Sequence, residues 1–118
     1  MRAKDAVGRY GEKVAAAYLV EQGWQVLDRN WRGAAGELDI VALHGDELVV
    51  VEVKTRTGDG FGHPAEAVTP AKLARLRRLA GEWLASHDLR PRGVRVDVVA
   101  VRAGGRGAAR VQHLAGVL

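Results

Sequence analysis

Glu52 and Lys54 stand two residues apart in the run ELVVVEVKTR, residues 47–56. The rest of the run is rich in valine and reads as a strand buried on both faces. Side chains alternate along a strand, so Glu52 and Lys54 project from the same face. A carboxylate beside an ammonium suits metal-assisted hydrolysis. The first offers an oxygen to a hard cation, and the second can hold or polarise a water or neutralise a phosphate. A further carboxylate comes from the preceding strand. If Gly45 and Asp46 form a two-residue turn, His44 pairs with Glu47; if 44–47 is a four-residue loop, Leu43 pairs with Leu48. Both registers set Asp39 opposite Glu52 and Glu37 opposite Lys54, with Cβ atoms about 4.5–5.5 Å apart. A three-residue loop breaks this pairing. Opposed carboxylates destabilise a sheet, and burial raises the cost unless a proton or a cation intervenes. The same residues also compose a Glu52–Lys54–Glu37 ion network with Asp39 solvated, which needs no metal.

The elements that must position these groups are legible. Residues 5–22 read as a helix with Val7, Gly11, Val14 and Tyr18 on one stripe, Glu12 at its edge and Gly23 as its C-terminal cap. Residues 24–31, 37–43 and 47–55 read as three strands. Thr69-Pro70 opens a second helix that runs to about His87, its hydroxyl placed to cap and its proline in the first turn. Leu73, Leu76, Ala80, Trp83 and Leu84 form the buried stripe of that helix. Arg75 and Arg78 lie outside it, and Lys72 borders it within reach of the interior. VRVDVVAV (94–101) is another buried strand, and 110–118 a short final one. The order αβββαβ, with the extra strand, predicts an α/β sandwich around one mixed sheet.

The chain of 118 residues fits a single domain, 1–118. It contains no cysteine, which excludes a disulfide framework and cysteine-held metals. No apolar run approaches the roughly 20 residues of a membrane span, and the charged N-terminus lacks the core of a signal peptide. A soluble, cytoplasmic protein is the expectation. Residues 1–69 carry 8 basic and 11 acidic side chains, net −3, while residues 70–118 carry 10 and 3, net +7. This asymmetry points to a polyanionic partner. A composition rich in Arg, Ala, Gly and Val, as a high-GC genome gives, produces the same imbalance.

Other groups carry weaker signals. The glycine-rich loop with Gly58, Gly60 and Gly62 is either a flap over substrate or an ordinary surface loop; it lacks the spacing of a nucleotide cradle. Phe61 either stacks on a base or packs on the body. Arg75, Arg77 and Arg78 either track phosphates or form a solvated face. The histidines are scattered without ligand spacing, and His44 is expected in solvent. Asp97 interrupts a buried strand and is expected to make a structural hydrogen bond. Trp24, Trp31 and Trp83 are expected in the core.

The segment GELDIVALHGDELVVVEVKTRTGDGFGHPAEAVTPAKLARLRRLA, with GRYGEKVAAAYL, RNWR, VDVVAV and VQHL, closely resembles the UPF0102 (YraN-like) family of small bacterial proteins. That family is regarded as a nuclease of the PD-(D/E)XK superfamily, related to archaeal Holliday junction resolvases. The resemblance implies a restriction-endonuclease-like core and a metal-dependent DNA endonuclease, with branched, Holliday-junction-like DNA among its substrates. Asp39 matches the aspartate of the first motif strand, Glu52-Val53-Lys54 the E-X-K of the second, and Glu12 the glutamate of the first helix. By that match Glu12, Asp39, Glu52 and Lys54 are catalytic, and Asp39, Glu52 and the Val53 carbonyl hold Mg²⁺ or Mn²⁺. Lys72 matches a polar position on the following helix that points at the site. With Arg75 and Arg78 it is the expected nucleic-acid contact. Resolvases cut two strands symmetrically, which implies a homodimer. The stretch GAA (33–35) replaces a cysteine and a second basic residue common in the family, and the closing HLAGVL lacks an aromatic ending. Two other readings fit the same residues: a nucleic-acid-binding module that keeps the fold with little catalysis, and an adaptor of a DNA-processing assembly.

Overall fold

The computed structural model describes residues 3–57, 68–104 and 107–117. The glycine-rich loop and Phe61 lie outside the described residues. Helix α1 (Ala3–Glu21) leads into strands β1 (Gln25–Gly33), β2 (Gly36–His44) and β3 (Glu47–Thr57). Helix α2 (Pro70–Ala85), β4 (Gly93–Ala103) and β5 (Arg110–Leu114) follow. The strands form one sheet in the order β1-β2-β3-β4-β5. β3 and β4 are parallel and the other neighbours antiparallel. Parallel neighbours need a long crossover, and α2 lies within it. The α/β architecture matches expectation and is compatible with a restriction-endonuclease-like core. The last strand ends at Leu114 rather than running to the C-terminus.

Local chemistry sets the element ends. Gly23 takes φ +86°, its N–H donates to the Val20 carbonyl, and the Trp24 N–H donates to Leu19. This paired pattern closes α1 with a left-handed residue, the conformation glycine adopts without steric cost. At the start of α2 the Thr69 hydroxyl accepts from the Lys72 N–H at 3.2 Å, with Pro70 at the first helical position.

Two apolar layers sandwich the sheet. One joins Ala15 and Leu19 of α1 to Ile40, Ala42, Val49, Val51, Val99 and Val101. The other joins Leu76, Leu79, Ala80 and Trp83 of α2 to Leu38, Val41, Leu48, Val50 and Val96. The buried line of α1 is Gly11, Ala15 and Leu19, one position round from the expected stripe; Val14 and Tyr18 flank it half-buried. Gly11 explains the rotation. A Cβ there would lie 1.7 Å from Thr55 Oγ1, so α1 crosses β3 at a distance only glycine permits. Leu79 joins the expected stripe of α2.

Asp97 is fully buried and completely satisfied. It accepts from Arg95 Nε and Nη2 (2.8 and 2.9 Å) and from the Gly116 N–H (2.9 Å), and lies 2.7 Å from His113 Nε2. Tyr18 Oη lies 3.1 Å from His113 Nδ1. The Arg95 guanidinium beside Asp97 and the other donors hold its carboxyl below the ordinary carboxylate range, against the opposing push of burial. The network ties β4 to the C-terminal segment and α1, as a structural role requires. His44 is exposed, yet stacks on Trp24 with centroids 4.5 Å apart. Trp24 and Trp83 are core residues, and Trp31 packs half-buried against the α2 layer.

Candidate functional site

The turn at Gly45–Asp46 has two residues, and the ladder runs His44–Glu47, Leu43–Leu48, Ala42–Val49, Val41–Val50 and Ile40–Val51. This is the expected register, but it stops one pair short of Asp39 and Glu52. Beyond it the Asp39 side chain takes over the pairing: Oδ2 accepts from the Val53 N–H at 2.8 Å. A short carboxylate that bonds a neighbouring backbone group competes with the ladder. Asp39 and Glu52 still meet, as side chains close enough for each carboxyl to act on the other. Burial and the neighbouring Glu52 carboxylate push the Asp39 carboxyl up to about 8, although the Val53 N–H pulls the other way.

The break in the ladder corrects one expectation. Glu37 does not oppose Lys54. It pairs across the β1–β2 hairpin with Arg32, at 3.1 Å from Nη2 to Oε2. Lys54 is half-buried and makes no ion pair among the described residues. The cation on Glu52 is instead Lys72, whose ammonium reaches inward from α2. Glu52 is 7 % exposed, so the pair lies largely out of solvent, and removing Lys72 would leave a buried carboxylate without its partner.

Sequence reasoning missed Asn30. Arg29 pairs with Ile40 and Trp31 with Leu38, but Asn30, set between them, is skipped. Its φ is +53°, the left-handed region that asparagine tolerates better than other side chains. With the amide nitrogen turned toward the carboxylates, Asn30 donates to Glu12 at 2.5 and 3.2 Å and to Glu37 at 3.1 Å. The amide orientation is assigned from this hydrogen bonding. Its only signal in the sequence is a short polar residue in the middle of RNWR.

Glu12, from α1, completes the cluster. Carboxylate oxygens of Glu12, Glu37 and Asp39 lie within 4.8 Å of one another. Burial, Glu37 and Glu52 raise the Glu12 carboxyl above its ordinary value, and Arg29 and Arg9 partly offset them. An open cleft of about 880 Å³ leads to this cluster, lined by Gly8, Arg9, Glu12 and Lys13 of α1 and Arg29, Asn30, Arg32 and Glu37 of β1 and β2. Arg75 and Arg78 are exposed on α2. Arg75 lies over Gly36, where an added Cβ would come 3.9 Å from its Cδ. Hard oxygen donors grouped so closely, one holding its proton to about pH 8, have the donor chemistry of a divalent-cation site.

Fold and site together define an α/β protein with four carboxylates gathered where two central strands part. The family model "Uncharacterised protein family UPF0102" matches residues 11–101. The chain is 62 % identical over 117 residues to a UPF0102 protein of Beutenbergia cavernae, with 99 % of each chain covered. It is 63 % identical over 118 residues to one of Kineococcus radiotolerans, covering 99 % of this chain and 97 % of that protein. It is 56 % identical over 119 residues to one of Streptomyces coelicolor, covering 99 % and 92 %. The chain belongs to the UPF0102 family. Among the described residues no helix is long and apolar enough to cross a membrane.

Proposed function

We propose that this protein is a divalent-cation-dependent endonuclease that hydrolyses DNA phosphodiester bonds, with branched DNA as its substrate. In this reading the chain is one catalytic domain that acts as a cytoplasmic homodimer. The observation that carries it is the gathering of Glu12, Glu37, Asp39 and Glu52 at one strand break, beside an open cleft. Asp39 would belong to either donor set. Glu52 and the Val53 carbonyl would complete one ligand set, and Glu12 and Glu37 another, for Mg²⁺ or Mn²⁺. When bound, the cation supplies Lewis-acid charge to the phosphate and lowers the pKa of an attacking water.

The chain's own groups do the rest. Lys54, which has no competing carboxylate among the described residues, orients the water or neutralises the charge that develops on phosphate oxygens. Asn30 donates to Glu12 and Glu37 and fixes their rotamers, so neither carboxylate must be ordered when substrate arrives. Lys72 balances Glu52 and lies ready to move to a phosphate. Arg75 and Arg78 offer further phosphate contacts from α2.

A second reading is favoured by one observation: the protein supplies partners for its own carboxylates, Lys72 for Glu52, Arg32 and Asn30 for Glu37, and the Asn30 amide for Glu12. That arrangement also suits a DNA-binding module or an adaptor without catalysis. The deciding experiment is cleavage of single-stranded, duplex, flap and four-way DNA in Mg²⁺ and Mn²⁺, with wild type against Lys54→Ala. Metal-dependent cleavage lost in the variant supports the nuclease. No cleavage of any substrate supports the second reading.

A further inference from the structure

The basic half of the sequence is not where the cleft finds its cations. Arg9, Lys13, Arg29 and Arg32 all come from the first 69 residues, whose net charge is −3. They form a rim around an acidic floor of Glu12 and Glu37. Arg9 and Lys13 are one helical turn apart on α1, a rise of about 6 Å, close to the spacing of neighbouring phosphates on one strand. Arg29 and Arg32 stand on β1. All four are exposed. Arg9 and Arg29 lie close enough to Glu12 to act on its charge, so rim and floor form a single site.

We infer that this α1–β1 cleft holds the phosphodiester backbone of the substrate strand, on the bank of the site away from α2. Three of the four cations are arginines, whose planar fork matches phosphate oxygens in pairs. A divalent cation held by the floor carboxylates would supply the positive charge that lets a phosphodiester approach them. A carboxylate-rich peptide would meet the floor with weaker and less evenly spaced groups, which makes a nucleic-acid strand the occupant. The inference takes its substrate from the nuclease reading, but it concerns where the strand lies rather than whether it is cut.

The experiment measures binding of a labelled DNA duplex by fluorescence anisotropy across a salt series in Ca²⁺, with three proteins: wild type, Lys13→Ala/Arg29→Ala and Arg90→Ala/Arg92→Ala. Arg92 pairs with Asp46 at the hairpin turn, at the other end of β2 and β3, and serves with Arg90 as control. Circular dichroism verifies that each variant is folded. Each phosphate contact contributes roughly 0.9 to the log–log salt slope on duplex. The cleft variant should therefore lose about 2 from the slope, while the control variant keeps it. Equal slopes for the two variants, or no salt-dependent binding by wild type, overturn the inference. Cleft-dependent binding without cleavage in the parallel Mg²⁺ assay leaves the inference standing and removes the nuclease reading alone.

Discussion

Asn30 and Asp39 occupy facing positions at which both ladders of β2 are interrupted. The β1–β2 register skips them between Arg29–Ile40 and Trp31–Leu38, and the β2–β3 register ends at Ile40–Val51. The site is thus a local failure of sheet pairing, maintained by a left-handed asparagine on one strand and a carboxylate bonded to the next strand's backbone. Functional geometry at a backbone outlier is a recurring association.

This arrangement separates two roles of Asn30. Asn30→Ala should cost about 1–2 kcal/mol from the left-handed backbone, plus the hydrogen bonds to the carboxylates. Asn30→Gly removes the backbone strain and should regain most of the stability, yet leave Glu12 and Glu37 unanchored. Urea denaturation and metal titration on the two variants are the check. Equal metal affinity of Asn30→Gly and wild type would show that the amide does not organise the site.

The Asp39 carboxyl is pushed up to about 8 from an ordinary 3.8. A raised carboxyl stabilises the metal-free fold in its protonated form. That contribution is full below pH 3.8 and is lost as pH rises through about 8. A cation at Asp39 must displace the proton, so apparent affinity should rise about tenfold per pH unit and level off above pH 8. Calorimetry at pH 7 in two buffers of different ionisation enthalpy should report close to one proton released per ion. Zero release would mean that Asp39 is not a ligand.

On the proposed function, Lys72 and a divalent cation would compete for the Glu52 carboxylate. In chelator, Lys72→Ala leaves Glu52 buried without its partner and should cost about 1–3 kcal/mol. In millimolar Mg²⁺ the loss should shrink, because the ion supplies the missing charge. Thermal melts under both conditions measure this. A loss of the same size with and without Mg²⁺ would place the ion away from Glu52.

Gly11→Ala should fail by contact. The new methyl would lie 1.7 Å from Thr55 Oγ1 and within 2.9 Å of Thr55 Cβ and Cγ2, none of them the far end of a flexible chain. Overpacking of this kind costs about 1–3 kcal/mol, and the relief available is a shift of α1 away from β3. That shift carries Glu12 with it. Gly11→Ala should therefore lose metal affinity as well as stability, whereas Gly8→Ala, with open space around it, should lose neither. Denaturation and metal titration distinguish the two.

Much of this was legible in advance for local reasons. Thr69-Pro70, Gly23 and the Gly45–Asp46 turn act within a few residues of themselves, so their consequences are written where they stand. The hairpin arithmetic brought Asp39 to Glu52 because register propagates along a regular ladder. It failed for Glu37 and Lys54 where the ladder stops, and nothing short-range announces that stop. Asn30 looked like any polar strand residue because the groups its amide meets, Glu12 on α1 and Glu37 on β2, lie seven or more positions away. The cleft was hidden for a different reason. Charge summed along the chain assigned the cations to residues 70–118, whereas packing assembles its basic rim from α1 and β1.

The same disturbed strand has a consequence for assembly. β1 is one border of the sheet, and a straight border invites a strand from another molecule. Here the border is interrupted twice, by the irregularity at Leu27 and by the positive φ of Asn30. An incoming strand would find fewer than four consecutive residues in register between the two breaks. The opposite border, β5, is only five residues long. Strand addition at β1 is disfavoured by its two breaks, so an association of two copies across that border would have to rest on side chains rather than on a continued sheet.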